Sequence, residues 1–211
     1  MSAAPRQARG LARLEVILDA GDAVIQRRAS TELSLQEVAA EAGLPVASVY
    51  HYFQGSQALL LALAQRYMQG FEALAESRVD PGKIDSWADL SQLHAERSLA
   101  FYRAHPVAMR LLLGPESGWQ IRAADLAANR RIGAIQYRRL LSFFQVAGSE
   151  TLERAFTTSV TIGDAVWALG FAEDGDVSPA RAEESLRARL AYLRLHLGEI
   201  IEKRETPGAE A

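Results

Sequence analysis

No run of this chain alternates apolar and polar residues with a period of two, whereas apolar residues recur three and four positions apart almost everywhere. A chain patterned this way buries its apolar stripes only by packing helix on helix, so the fold class is all-α. Turn residues cut the pattern into about nine helical segments. Helices are expected over residues 7–28, 34–42, 45–53 and 56–77, then over 85–104, 106–113, 118–147, 149–172 and 178–204. Val79-Asp80-Pro81-Gly82 is the clearest break, and Ser178-Pro179 is a strong start signal, with serine as N-cap and proline in the first helical position.

Composition removes whole classes of function. There is no cysteine, which excludes disulfides, thiolate metal sites and cysteine nucleophiles. His51, His94, His105 and His196 fall in no metal-binding spacing, and no phosphate loop, dinucleotide fingerprint or serine-nucleophile motif is present. Neither an enzyme nor a cofactor or metal is expected. No stretch is apolar enough to span a bilayer, and Arg13, Glu15 and Asp19 interrupt any secretory core after Arg6 and Arg9, so a cytoplasmic protein without membrane contact is expected. The net charge of -3 does not advertise nucleic-acid binding.

One segment nevertheless does. Ser34-Leu-Gln-Glu37 fits a capping box, in which the serine hydroxyl accepts from the Glu37 amide and the Glu37 side chain returns to the Ser34 amide. The short helix it starts should stop at Gly43, a good left-handed terminator. Leu44-Pro45 then opens a second short helix ending near Phe53. Val38, Ala39, Leu44, Val49 and Phe53 face inward on this reading, on a first helix burying Leu11, Leu14, Ile17, Leu18, Val24 and Ile25. Two short helices joined by a glycine turn have the spacing of a helix-turn-helix, whose second helix lies in the major groove.

The run from Leu33 to Phe53, LSLQEVAAEAGLPVASVYHYF, resembles the DNA-binding signature of the TetR family, from Leu14 into Leu59 and Leu60. Ala39, Ala42-Gly43, Tyr50, Tyr52-Phe53 and Leu59 fall where that pattern places them. The resemblance implies a three-helix helix-turn-helix domain at 1–55, continued by the connecting helix at 56–77. A larger ligand-binding and dimerisation domain follows at 78–204, and the tail at 205–211 is expected to be disordered. It also implies that Ser34, Ser48, Tyr50 and His51 touch phosphate or groove. Pro45, Val46 and Ala47 then form the base-reading face, where apolar groups meet thymine methyls. Ser56 stands where the family usually has a lysine, and the resemblance implies a DNA contact there as well. Between Ala29 and Gln65 there is no lysine or arginine, but Glu32, Glu37 and Glu41 are present. Arg6, Arg9 and Arg13 are therefore expected to supply the positive charge, as an N-terminal arm.

Two apolar stripes close the chain. Leu186, Leu190, Leu193, Leu197 and Ile200 step by four and three, as do Leu152, Phe156, Val160, Gly163, Trp167 and Gly170. Such stripes fit either the domain's own core or a contact between chains, and Gly163 and Gly170 permit close helix approach. The resemblance favours a homodimer through Phe156, Val160, Gly163, Trp167, Leu186, Leu190, Leu193 and Leu197, with two reading heads on a palindromic double-stranded operator.

A small, largely apolar effector is expected between the helices of the larger domain. Trp87, His94, Phe101, Tyr102, Met109, Trp119, Tyr137 and Phe144 are its candidate contacts, with Arg97, Asn129 and Asp164 as further polar groups. The family mode is repression by a homodimer that the effector releases from DNA, through a swing of the helix at 56–77. The competing reading is a helical ligand-binding or scaffold protein whose head has lost affinity for DNA.

Overall fold

The computed structural model describes the backbone of residues 4–115 and 118–205, and side chains within these spans from residue 8 onward. Among the described residues the helices are α1 (Ala4–Arg28), α2 (Leu35–Glu41), α3 (Val46–Tyr52), α4 (Ser56–Glu76), α5 (Trp87–Ala104), α6 (Pro106–Leu113), α7 (Trp119–Phe143), α8 (Glu150–Asp174) and α9 (Pro179–Leu193), with a 3-10 turn at Pro81–Lys83. The all-α expectation is borne out. Their starts follow from local chemistry. Ser34 and Ser86 make capping boxes with Glu37 and Asp89, while Ser149 and Ser178 cap α8 and α9 through their side chains.

The first three helices form a small head. Ile17, Ile25, Val38, Val49 and Phe53 are buried in it, as expected, but Leu11 is exposed. The core does not end with the head. Leu59, Leu60 and Leu63 of α4 join the head's cluster, and Tyr67, Met68 and Phe71 carry the same cluster in among α5 to α8. At the far end of α4, the Arg139 guanidinium donates to the carbonyls of Ala75 and Glu76 at 2.5 and 3.1 Å. A cation there satisfies free carbonyls and complements the helix dipole.

Two helices end earlier than their sequence pattern. α7 stops at Phe143 instead of 147, and α9 at Leu193 instead of 204. The cause is a short antiparallel pairing between Phe144 and Lys203, in which the Gln145 amide donates to Glu202 and the Arg204 amide to Phe143, both at 2.8 Å. Trp87 fixes this return by donating its indole N–H to the Gly198 carbonyl at 3.0 Å. A second core closes beneath it, containing Trp87, Phe143, Phe144, Phe156, Leu193 and Leu197.

Candidate nucleic-acid interface and buried cavity

The helix-turn-helix is held by backbone chemistry. Gly43 has φ +62°, the left-handed conformation that the turn requires, and the Leu44 amide closes onto the Ala39 carbonyl at 2.9 Å. Pro45 is the N-cap of α3, one position before the helix proper. On this frame Pro45, Val46, Ala47, Tyr50 and His51 are exposed, Val46 and Tyr50 by 40% and 46%, while Val49 and Phe53 are buried. An apolar and aromatic surface of this kind on a small polar head marks a contact face. Tyr52 turns inward and donates to the Gly10 carbonyl at 3.3 Å, locking α3 against the start of α1. Arg13 of α1 thereby joins Ala47, Ser48, His51 and Tyr52 around one shallow depression.

Other expected contacts lie elsewhere. Ser34 donates its hydroxyl to Glu37 at 3.0 Å while accepting from the Glu37 amide, so its proton is committed to the cap and not to phosphate. Ser56 lines a separate cleft with Thr31, Leu33, Leu111 and Ile121, between the head and the rest of the molecule. Arg9 is exposed, and the side chain of Arg6 lies outside the described residues. The sequence reading missed Gln36, whose amide donates to the Tyr50 hydroxyl at 3.2 Å.

The acidic residues of α2 are less adverse than the sequence suggests. Arg27 pairs with Glu41 at 2.7 Å and Arg28 pairs with Glu37. The Ser34 backbone amide holds the Glu37 carboxyl below its ordinary pKa, with the Ser34 hydroxyl and Arg28 adding to it. The compensating cations come from the end of α1, fourteen and nine residues away in sequence.

A cavity of about 30 Å³ lies between α4, α5, α6, α7, α8 and α9. Met68, Phe71, Leu112, Ile132 and Val160 make its apolar side, and Asp125, Asn129, Gln136, Asp164 and Arg189 its polar side. Asn129 donates to Asp164 at 2.7 Å, Arg122 to Asp125 at 2.7 Å, and Arg189 to Gln136 at 3.2 Å. Burial pushes Asp164 up to about 7, and the nearby charge of Asp125 adds to this. Burial likewise raises Asp125 to about 6, against the pull of Arg122.

Of the eight aromatic, histidine and methionine candidates for this cavity, only Tyr102 lines it. Trp87 and Phe144 belong to the far core, with Tyr137 packed at its edge, and Met109 is buried in the main core. Phe101 stacks on Phe71 and His105 instead, with ring centroids 4.5 and 4.4 Å apart. Trp119 is 77% exposed, on the first turn of α7. His94 is buried and held neutral down to about 3, by desolvation first and then by Arg139, Arg189 and Arg97. Arg97 is spent on Ser77 and Arg78. Asn129 and Asp164 were legible as polar candidates; Met68, Phe71, Gln136 and Arg189 were not. The missed signal is a charge on the buried line of α9, where Ser185, Arg189 and Leu193 follow at intervals of four.

The two stripes near the end of the chain pack largely within it. Phe156, Val160, Gly163, Trp167, Leu193 and Leu197 are already buried within one chain, and Leu186 and Leu190 are half-buried against its cores. A Cβ on Gly163 would stand 2.7 Å from Arg189 and one on Gly170 2.9 Å from Arg181, so the close approach foreseen at these glycines is between α8 and α9 of the same chain. Ile200 is 93% exposed because α9 has ended before it. The outward sides of this pair instead carry Ala165, Leu169 and Ala191, with Leu195 just beyond.

A short exposed helix at the edge of a small capped head, joined by one long helix to a bundle with a polar cavity, defines a helix-turn-helix head on a larger helical domain. Residues 17–63 match the sequence model of the bacterial regulatory proteins of the tetR family. Among solved structures, a TetR-family transcriptional regulator from Streptomyces coelicolor is 24% identical with a TM-score of 0.63, over 88% of this chain and 99% of that one. Another, from Rhodococcus sp. RHA1, is 18% identical with a TM-score of 0.64, over 89% and 98%. FadR from Bacillus subtilis, solved in complex with stearoyl-CoA, is 15% identical with a TM-score of 0.55, over 88% and 98%. No curated protein sequence matches the chain. Residues 17–63 are thus a tetR-family helix-turn-helix domain, the described chain has the fold of TetR-family regulators, and the resemblance carried by Leu33–Phe53 is borne out. No described helix is long and apolar enough to cross a membrane.

Proposed function

We propose that this protein is a transcriptional regulator that binds a palindromic double-stranded operator as a homodimer, represses by occupying the promoter, and is released by a small, largely apolar ligand. The observation that carries this is the exposed face of α3, where Val46, Ala47, Tyr50 and His51 are open and Arg13 shares a depression with Ala47, Ser48 and His51. Val46 and Ala47 suit thymine methyls in the major groove, while Tyr50, Ser48, His51 and Arg13 suit the flanking phosphates. Dimerisation uses the outward sides of α8 and α9, including Leu169 and, just past α9, Leu195, because the inward sides are filled by the chain's own core.

The ligand enters the cavity beneath α4. At about 30 Å³ that cavity holds little more than a water molecule, so a larger occupant must displace Met68 and Phe71, and with them α4. The repressor is released only if the ligand binds the displaced state more tightly than the DNA-bound one. Footprinting on the intergenic DNA beside this gene tests the reading. Protection of one inverted repeat, lost with Tyr50→Ala, is expected; uniform or absent protection by a folded dimer contradicts it.

A further inference from the structure

The hydrogen bonds around the cavity are unevenly matched. Asp164 accepts from Asn129, Asp125 from Arg122, and the Gln136 carbonyl from Arg189. Two donors have no such match. The Nε of Arg189 and the indole Nε1 of Trp167 are both buried without a partner, on residues that are 4% and 2% exposed and line the cavity. An orphaned buried donor costs free energy that any incoming acceptor restores.

The charge points the same way. Arg189 is brought to the cavity by a specific accommodation: its stem crosses α8 at Gly163, where any Cβ would collide with it at 2.7 Å. Its one hydrogen-bonded neighbour is the neutral Gln136, and Asp164 acts on it only through space. Taking the ligand-responsive reading above as its basis, we infer that the cavity receives a small organic acid, whose carboxylate docks on Arg189 and Trp167 while its apolar body presses on Met68 and Phe71. Arg189 offers a fork that suits a carboxylate, and the indole adds a single directed donor.

Protonation supports the same occupant. Asp164 is faced by Asp125, Asn129 and Arg122 of α7, Tyr102 of α5 and Arg189 of α9, and in this setting it stays protonated up to about 7. While it is neutral, Arg189 is left as the uncompensated cation. As pH rises through about 7 the Asp164 anion competes for Arg189, so affinity for an acid falls.

Matched acid and amide probes test this on the full-length protein without DNA: benzoate with benzamide, phenylacetate with phenylacetamide, octanoate with octanamide. Calorimetric titration should show at least one acid binding about tenfold more tightly than its amide, the loss expected when one charge-assisted hydrogen bond is missing. Arg189→Met should remove that preference, weakening the acid far more than its amide. Trp167→Phe keeps the ring and the packing, and should lower acid affinity several-fold; it decides the matter should Arg189→Met fail to fold. Equal binding of acid and amide in every pair, no binding by any probe, an acid preference undiminished by Arg189→Met, or acid affinity unaltered by Trp167→Phe overturns the inference. Because DNA is absent, such a failure leaves the footprinting result untouched, and a failed footprint leaves this result untouched.

Discussion

The hydroxyl of Tyr67 on α4 lies 2.8 Å from both carboxylate oxygens of Asp22 on α1. Beside it, Arg66 reaches Asp19 at 2.6 Å and stands 3.6 Å from Asp22. The next residue along α4, Met68, lines the cavity, and Phe71 follows one turn later. The clamp between head and connecting helix is therefore within a turn of the cavity wall, so any shift of α4 that makes room for a ligand is delivered directly to α1.

Tyr67→Phe removes the hydroxyl and keeps the ring in the core. The expected loss is about 1 kcal/mol, the usual value for one hydrogen bond, or roughly 2–4 °C in Tm for a chain of this size. Thermal and urea unfolding measure it. Operator affinity should be nearly unchanged, while the ligand concentration needed for release should rise, because α4 then moves with less hold on α1.

Two glycines should respond differently to alanine. At Gly133 of α7 a Cβ would stand 2.6 Å from the backbone N and Cα of Thr157, which cannot yield without moving α8. At Gly163 the obstacle is the Arg189 stem at 2.7 Å, a flexible side chain. Both substitutions overpack, at a cost of about 1–3 kcal/mol, with Gly133→Ala the more destabilising. Denaturant midpoints of the two variants test the order, and only Gly163→Ala should also disturb binding of the acid probes.

Opposed pH effects are built into the core. Asp164 has a folded pKa near 7, above its unfolded value of 3.8, so the folded state holds the extra proton and this contribution is lost as pH rises through about 7. His94 has a folded pKa near 3, below its unfolded value of 6.5, so its contribution is lost as pH falls below 6.5. Between pH 4 and 6.5 the two slopes oppose each other. Asp164→Asn removes the first, and unfolding measured across that range should show stability rising with pH more steeply than in the wild type.

How far the sequence carried depended on whether the information was local. Ser34 to Phe53 was legible because its cap, its turn glycine and its inward residues lie within twenty positions of one another. The cavity was not, because Met68, Asn129, Asp164 and Arg189 come from four helices and share no local pattern. The Leu186–Leu197 stripe was visible, but periodicity alone does not say which surface covers a stripe. Its line also differs by one position from the buried line through Ser185 and Arg189, which turns a leucine seam into the inner wall of a polar cavity. The end of α9 was misjudged because Leu197 and Ile200 continue the helical period, while the pairing of Phe144 with Lys203 pulls the chain out of the helix.

The central claim is that the α3 face reads DNA, and a salt-titrated anisotropy measurement on the footprinted tract against random duplex tests it most directly. The account predicts specific binding at least about a thousandfold tighter than nonspecific binding near physiological salt. Tyr50→Ala should weaken binding to the tract, and Arg13→Ala should reduce the salt slope by about one phosphate contact. Equal affinity for tract and random duplex, unaltered by either substitution, would contradict it and leave a ligand-binding protein whose head no longer reads DNA.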